Sequence, residues 1–207
     1  MKKLWIQSLA AVLALALGAS LPAAEVAKFG SKPGTKIKID GTSSIHDWTV
    51  ESGIVAGTME IDSAFLATPT AAKPGPVAAK VETTIPVRSL KSGTKAMDDR
   101  MYDAMKLTKF PKIEYRLTEL TLKETPKSAD GPFNFDSKGE LSLSGVTNKV
   151  SFPVTMTRTA NTIKTTGSTT VKMTSFGIEP PGMIVLIKTG DDVKLTFDWI
   201  TGPSDAK

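Results

Sequence analysis

Residues 139–156 read GELSLSGVTNKVSFPVTM and carry an apolar side chain at nearly every second position. Such alternation is typical of β-strands that bury one face and expose the other. Gly145 and the pair Asn148 and Lys149 interrupt the apolar positions, and glycine and asparagine favour turns. The stretch therefore predicts two antiparallel strands joined by a short turn.

The same period of two continues along the chain in both directions. The alternating runs lie at residues 35–40, 80–87, 112–117, 139–143, 150–156, 171–173 and 193–199. β-Branched residues are frequent in these runs, and turns containing glycine or proline separate them. Most connections are too short for crossover helices, so neighbouring strands should be antiparallel. About eight such strands predict an all-β fold, either a sandwich or a barrel.

Residues 94–107 depart from this period. Met97, Met101 and Met105 recur at every fourth position, and charged side chains occupy the other faces. The pattern predicts a short amphipathic helix with Thr94 as its N-cap, ending before Pro111. The methionine stripe is expected to pack in the core, to line a cavity for an irregular apolar ligand, or to do both.

The side chains that most catalytic and metal sites require are scarce. The chain has no cysteine and a single histidine, His46, which excludes disulfides, thiolate nucleophiles and multi-histidine metal sites. Ser43 and Asp47 lie close to His46 in sequence, but successive strand residues point to opposite faces, so His46 and Asp47 should not meet. The sequence therefore predicts a protein that is not an enzyme, with no catalytic residue, no metal and no required cofactor.

The basic residues do not form a nucleic-acid footprint. The formal net charge is +5, but after residue 24 the lysines are scattered singly along the chain. Nucleic-acid binding needs a contiguous basic patch. Nucleic acid is therefore not an expected partner.

Five segments, in this order, carry a resemblance to a known family. They are GTSSIHDWTV (41–50), GTMEID (57–62), RSLKSGTKAMDDRMYDAMKLTKFPKIEYRL (88–117), GELSLSGVTNKVSFPVTM (139–156) and TSFGI (174–178). Together they resemble the YceI-like, polyisoprenoid-binding domains over roughly residues 35–201. The resemblance implies an eight-stranded antiparallel, lipocalin-like barrel with one short amphipathic helix, enclosing a long isoprenoid chain or another amphiphile.

The opening strand departs from the pattern common in that family. Many relatives carry a His-Ser pair just after the first Asp and another His later in the strand. Here Asp40 is followed by Gly41, and the only histidine lies in the sequence His46-Asp47-Trp48, an HDW variant. Contacts of those histidines with a polar head group therefore do not carry over to this chain.

The first two dozen residues resemble an export signal. Lys2 and Lys3 precede an apolar run at residues 4–17, and small residues follow as far as Ala24. The run is short for a membrane span, and no transmembrane segment is expected in the remainder. The expected arrangement is a signal peptide (1–24), a linker (25–34), the barrel domain (35–201) and a tail (202–207), in a periplasmic or secreted protein.

The leading hypothesis is a lipid-binding protein that holds an isoprenoid (quinone or polyprenol) or a similar long amphiphile, for transport or storage. The alternative is a structural or adhesion barrel whose interior is filled by side chains. An outer-membrane barrel is disfavoured, because aromatic residues for interfacial girdles make up only 6% of the chain. The candidate ligand-binding wall residues are Trp48, Met97, Met101, Met105, Phe110, Tyr115, Leu141, Phe152, Phe176 and Phe197.

Overall fold

The computed structural model describes residues 25–181 and 188–204. The predicted signal peptide, residues 1–24, lies outside the described residues. The strands of the described part are β1 (Val26–Ser31), β2 (Lys36–Ser43), β3 (Trp48–Ser52), β4 (Ala56–Asp62), β5 (Gly75–Pro76), β6 (Ala79–Pro86), β7 (Lys112–Leu122), β8 (Phe133–Leu143), β9 (Val146–Thr159), β10 (Thr162–Lys172) and β11 (Thr189–Pro203). The helices are α1 (Ser63–Ala67) and α2 (Lys95–Ala104), with single 3₁₀ turns at Pro69–Ala71, Val87–Ser89 and Thr174–Phe176.

The strands close into an up-and-down barrel. Strands β1 and β2 lie end to end and both pair with β11. Strands β4 and β3 lie end to end in the next position of the ring, where β4 pairs with β1 and β3 pairs with β2. Each of these pairs occupies one position in the ring, and β6 to β11 supply the other six. All neighbours are antiparallel, and β1 closes the ring by pairing with both β4 and β11. The predicted eight-stranded antiparallel barrel is confirmed.

The segment 25–34, predicted as a linker, instead contains a strand of the barrel. In β1, Val26 pairs with Asp62 of β4, and Ser31 pairs with Thr201 of β11. The last strand also continues two residues past the predicted boundary, to Pro203. Hydrogen bonds to β4 on one side and to β11 on the other form this strand. The alternation of large apolar residues that marks the other strands is weak in β1.

The β8–β9 hairpin turns earlier than the sequence pattern indicates. Leu143 pairs directly with Val146, so Ser144 and Gly145 form a two-residue turn. Their φ angles are 52° and 84°, the left-handed values that such tight hairpin turns require. The pair at residues 148–149, read as a turn signal, lies inside β9.

The two helices lie at opposite ends of the barrel. Helix α1 follows β4, whereas α2 lies between β6 and β7, and β4 and β6 run antiparallel. The predicted amphipathic helix is present, with Thr94 at the N-cap position, although its side chain makes no capping hydrogen bond. Among the described residues, no helix is both long enough and apolar enough to cross a membrane.

Aromatic side chains seal the α1 end. The ring of Phe65, on α1, packs edge-on against Phe133 at 5.5 Å and Phe135 at 5.6 Å between ring centroids. Phe133 and Phe135 are fully buried. These three residues form the closed end of the barrel.

Candidate cavity for an apolar chain

The barrel encloses a cavity of about 540 Å³. Its walls are largely apolar and come from the inward faces of the strands and from one face of α2. This volume lies within the range typical of small-molecule sites. The lining reaches α2 and the β2–β3 loop (44–47), which together form the mouth of the cavity.

Eight of the ten predicted wall residues line this cavity. They are Trp48, Met97, Met101, Met105, Tyr115, Leu141, Phe152 and Phe197. The structure thus brings together residues from α2 and from five strands. Whether they contact a ligand remains a prediction.

Phe110 and Phe176 do not line the cavity. The Phe110 ring covers Gly145, because a Cβ built on that glycine would lie 2.4 Å from the ring. Phe176 is fully buried in the 3₁₀ turn at Thr174–Phe176. Both residues lie in connections at the mouth end, where strand alternation gives no information on side-chain direction.

Three aromatic rings form a continuous row across the interior. The Tyr115 and Phe152 centroids lie 5.7 Å apart, and those of Phe152 and Phe197 lie 5.8 Å apart. These distances are within the favourable range for aromatic pairs. The row links β7, β9 and β11, and all three rings line the cavity.

Inward-facing glycines make room for three of the cavity aromatics. A Cβ built on Gly41 would lie 2.1 Å from the Trp48 ring, one on Gly139 2.4 Å from the Tyr115 ring, and one on Gly167 2.7 Å from the Phe197 ring. Each ring therefore covers the backbone of a neighbouring strand instead of projecting straight into the barrel. In the sequence, such a contact is indicated only by a glycine at an inward-facing strand position together with an aromatic residue on the strand that pairs with it.

Polar contacts hold the start of α2 at the mouth. The buried Asp98 carboxylate accepts hydrogen bonds from the Ser92 backbone N–H and hydroxyl, both at 2.7 Å, and its second oxygen lies 3.5 Å from the Lys91 ammonium. Lys91 also donates to the Tyr102 hydroxyl at 2.7 Å, which in turn donates to the Leu90 carbonyl at 2.7 Å. Burial opposes ionisation of Asp98, but the hydrogen bonds from Ser92 and the charge of Lys91 together lower its pKa.

Further hydrogen bonds hold the end of the helix. The Ser144 hydroxyl, in the β8–β9 turn, donates to the Met105 carbonyl at 3.0 Å. The Lys106 ammonium donates to the Gly177 carbonyl at 2.9 Å. Helix α2 is therefore tied to the barrel rim on both sides of the mouth.

His46 lies at the mouth and has no catalytic arrangement around it. Residues 44–47 form a loop, so the strand alternation expected for His46 and Asp47 does not apply. The Ser43 hydroxyl donates to the His46 carbonyl at 2.7 Å, and the imidazole Nδ1 lies 2.9 Å from the backbone carbonyl of Asp47. These contacts organise the loop and do not align a nucleophile with a base. Within the described ranges, no group of three or more metal-ligating side chains converges.

The hydroxyl groups of Tyr115 and Thr165 are buried in the cavity wall. Burial raises the pKa of Tyr115, and a hydrogen bond with the Ser137 hydroxyl partly offsets this effect. The Thr165 hydroxyl has no hydrogen-bond partner among the described residues. Thr165 was not among the predicted wall residues, because nothing in its sequence context distinguishes it from the other threonines of β10.

The comparisons with known proteins agree with this architecture. The sequence profile of the YceI-like domain matches residues 27–200. No curated protein matches the chain. Among solved structures, BcnA of Burkholderia cenocepacia is 18% identical with a TM-score of 0.61, covering 80% of this chain and 95% of its own.

Two further structures share the fold. A polyisoprenoid binding domain from Saccharophagus degradans, implicated in plant cell wall breakdown, is 13% identical with a TM-score of 0.62 and covers 87% of this chain and 100% of its own. The YCEI protein of Campylobacter jejuni is 16% identical with a TM-score of 0.56 and covers 75% of this chain and 85% of its own. At these identities the similarity establishes the barrel fold.

Proposed function

Because this chain belongs to the YceI-like domain family, and because its barrel encloses an apolar cavity, we propose that it binds a long-chain isoprenoid or a similar amphiphile. The role is transport or storage of a quinone, a polyprenol or a comparable lipid. The observation that carries the proposal is the cavity of about 540 Å³ between the closed end and α2. A barrel built only for structure would fill this space with side chains.

Burial of apolar surface supplies enough free energy for such binding. A chain that buries about 400 Å² gains about 10 kcal/mol before association costs, at about 25 cal/mol per Å². Loss of translational, rotational and chain freedom offsets several kcal/mol of this gain. Micromolar to nanomolar dissociation constants follow, with selectivity set mainly by the length and width of the cavity.

The relative from Saccharophagus degradans supports the isoprenoid class, since it is described as a polyisoprenoid binding domain. The absence of a nucleophile–base pair around His46 supports a binding protein over an enzyme. The apolar run at residues 4–17 supports export, so the proposed site of action is the periplasm or the exterior of the cell.

Lipid extraction tests the proposal directly. The full chain is expressed in a bacterium, recovered from the periplasm without detergent, and extracted with organic solvent for mass spectrometry. We expect about one long-chain lipid per protein and an N-terminus near Ala24 or Glu25. Protein that is folded yet yields no lipid, and that takes up none from mixed vesicles, would indicate the structural-barrel alternative.

A further inference from the structure

The cavity occupies only part of the length of the barrel. On β8, Ser137 lines the cavity, but Phe135, the next residue on the same face towards the closed end, does not. On β7, Leu120 pairs with Ser137 and lines the cavity, whereas Leu122 pairs with Phe135 and does not. The cavity therefore ends at the same pair of positions on both strands.

Beyond these positions the barrel is filled by its own side chains. Phe65 of α1 packs there on a group of fully buried strand residues that do not line the cavity: Met59, Ile61, Leu122, Phe133, Phe135 and Ile163. We call Phe65 and this group the plug. Packed interiors contain few spaces larger than a water molecule, so a lipid chain cannot pass between these side chains.

The geometry of the strands gives the depth of the open part. Strands β8, β9 and β10 line the cavity over residues 137–143, 150–156 and 165–171, respectively. Each span is about 20 Å long at about 3.3 Å per residue. Strands of small barrels are tilted by about 35–45°, so the span corresponds to about 15 Å along the barrel axis. Helix α2 at the mouth adds about 5 Å, half the diameter of a helix.

A depth of about 15–20 Å limits the length of an enclosed chain. With carbon–carbon bonds of about 1.5 Å, an extended chain advances about 1.25 Å per carbon, so about 12–16 backbone carbons fit between the mouth and the plug. This is the length of about three to four isoprene units, each with four backbone carbons. A chain of 16 carbons fills about 430 Å³ at the packing density of protein interiors. The cavity of about 540 Å³ accommodates it.

We propose that the plug sets an upper limit on the enclosed part of the ligand, at about 12–16 backbone carbons or three to four isoprene units. A longer isoprenoid leaves the rest of its chain outside the mouth and gains no further affinity from it. This inference rests on the proposed function and specifies the chain-length class of the ligand.

Straight-chain alkanoates from C8 to C20, in steps of two carbons, are the probes, because only the chain length changes between them. Their carboxylate stays at the mouth, since a charge in the apolar depth would be strongly unfavourable. Among the described lining residues the only basic side chains are His46 and Arg100, and both belong to the mouth. Displacement of the apolar fluorophore 1-N-phenylnaphthylamine from the delipidated protein at pH 8 measures each affinity.

We expect the affinity for the parent protein to rise about fourfold with each added carbon, the gain for burying one methylene group. The rise should stop between C12 and C16. Beyond that length the added carbons remain outside the cavity, so each should change the affinity by less than about 1.5-fold.

Two variants move the limit in opposite directions. Phe135→Ala removes a ring of the plug and should raise the limit by about four carbons, the depth of one inward-facing layer. Val154 pairs with Phe135 and lines the cavity, so Val154→Phe should lower the limit by a similar amount. The matched controls are Phe176→Ala, which truncates an equally buried ring outside the cavity, and Ser151→Phe, which adds a ring on the exposed face of β9.

Melting curves show which variants fold. If the affinity of the parent rises steadily to C20, or if neither folded variant moves the limit more than its control does, the plug does not set the chain length and the proposed function stands. If Phe135→Ala does not fold, Val154→Phe decides, and if neither folds, the presence or absence of a limit in the parent decides. If no alkanoate displaces the fluorophore, the proposed function itself fails, and this inference fails with it.

Discussion

At the scale of single residues, the interior of this barrel depends on glycines as much as on aromatics. Trp48, Tyr115 and Phe197 are large enough to block an eight-stranded barrel, yet each ring lies against the backbone of an inward-facing glycine. The rings thereby contribute apolar surface to the wall while leaving the axis open. An eight-stranded barrel is otherwise just wide enough for its own side chains to fill.

Gly41→Ala tests this arrangement at the mouth. The new Cβ would lie 2.1 Å from the Trp48 ring, so the indole must move away from the wall. We expect a loss of about 1–3 kcal/mol in the free energy of unfolding, as in other overpacked sites. Trp48 fluorescence should shift, and lipid retention should fall, because the displaced ring then occupies part of the cavity.

Gly30→Ala is the matched control within a strand. Its Cβ would approach no atom closer than 3.9 Å, the distance to Ser204 Cβ, so the substitution should be neutral or slightly stabilising. Equal melting temperatures and equal lipid content for Gly41→Ala and Gly30→Ala would contradict this prediction. They would show that the Trp48 ring moves without loss of stability and that Gly41 does not shape the cavity.

The residue-scale predictions from sequence succeed where a strand fixes side-chain direction. Tyr115, Leu141 and Phe152 follow strict alternation, and all three line the cavity. Phe110 and Phe176 do not line the cavity, because each lies in a connection whose course depends on tertiary contacts. The partners of the ring-covered glycines lie on a different strand, so the register of pairing must be known before the contact can be recognised.

At the scale of elements, α2 is both a wall of the cavity and part of its mouth. Its methionine stripe faces the interior, as the four-residue spacing predicts, and Met105 is the most buried of the three. Hydrogen bonds at each end join the helix to the loop at Leu90 and Lys91 and to the β8–β9 turn. Such a helix can contact a flexible ligand through its methionines while its two ends stay attached to the barrel rim.

Met101→Trp tests whether the stripe borders open space. Met101 is half-buried and lines the cavity, so a larger side chain can extend into the cavity instead of overpacking a filled core. The variant should remain folded and monodisperse and should carry less lipid or a shorter one. Met101→Ala should cost less than about 2 kcal/mol, the lower limit for truncation of a fully buried methionine.

Asp103→Trp provides the control, because Asp103 lies on the exposed face of the same helix. It introduces the same indole side chain on the outer face and should leave both the amount and the length of extracted lipid unchanged. If Met101→Trp unfolds the protein, or binds the same lipid in the same amount as the parent, the stripe is ordinary core.

Asp98 gives α2 a pH-dependent attachment. Because its pKa is lowered in the folded state, the carboxylate stabilises the fold at neutral pH, and this contribution is lost as the pH falls through the folded-state pKa. Asp98→Asn should therefore reduce the free energy of unfolding by about 1–2 kcal/mol at pH 7, with the difference shrinking as the pH falls below the ordinary aspartate pKa of about 4. Urea unfolding at a series of pH values measures this.

The neighbouring residue serves as the control for that experiment. Asp99 is exposed and pairs only with Lys95 across one helical turn in the described contacts. Asp99→Asn should change stability by less than about 0.5 kcal/mol, as is usual for surface ion pairs. A constant difference between Asp98→Asn and the parent at every pH would show that the loss comes from packing and not from the charge.

The sequence predicted most strands but missed the one that closes the ring. Strands such as β6 and β7 carry β-branched and apolar residues at every second position, and their positions match the predicted runs. Strand β1 contains Lys28, Gly30 and Ser31 and has little alternation. It is ordered by neighbours that are distant in sequence, β4 and β11, and a local pattern does not report such pairing.

At the scale of the whole molecule, the barrel has one sealed end and one open end. Phe65, Phe133 and Phe135 close the interior beside α1, and the mouth lies at the opposite end beside α2. Strands β6 to β11 are neighbours in the order of the sequence, and β1 to β4 complete the ring of hydrogen bonds that encloses the cavity. The integrity of the cavity therefore depends on the last pairing that completes the ring, which β1 provides.

Two N-terminal truncations test this dependence. Removal of residues 1–24 leaves β1 intact, and the protein should fold cooperatively and retain lipid. Removal of residues 1–31 deletes β1 and exposes unpaired edges on β4 and on the end of β11. Exposed strand edges favour aggregation, and the gap opens the cavity to water, so the shorter protein should aggregate or lose its cooperative transition and its lipid. Thermal unfolding, size-exclusion chromatography and lipid extraction distinguish the two proteins. If the shorter protein unfolds at the same temperature with its lipid retained, β1 is dispensable and residues 25–34 act as the linker that the sequence pattern indicated.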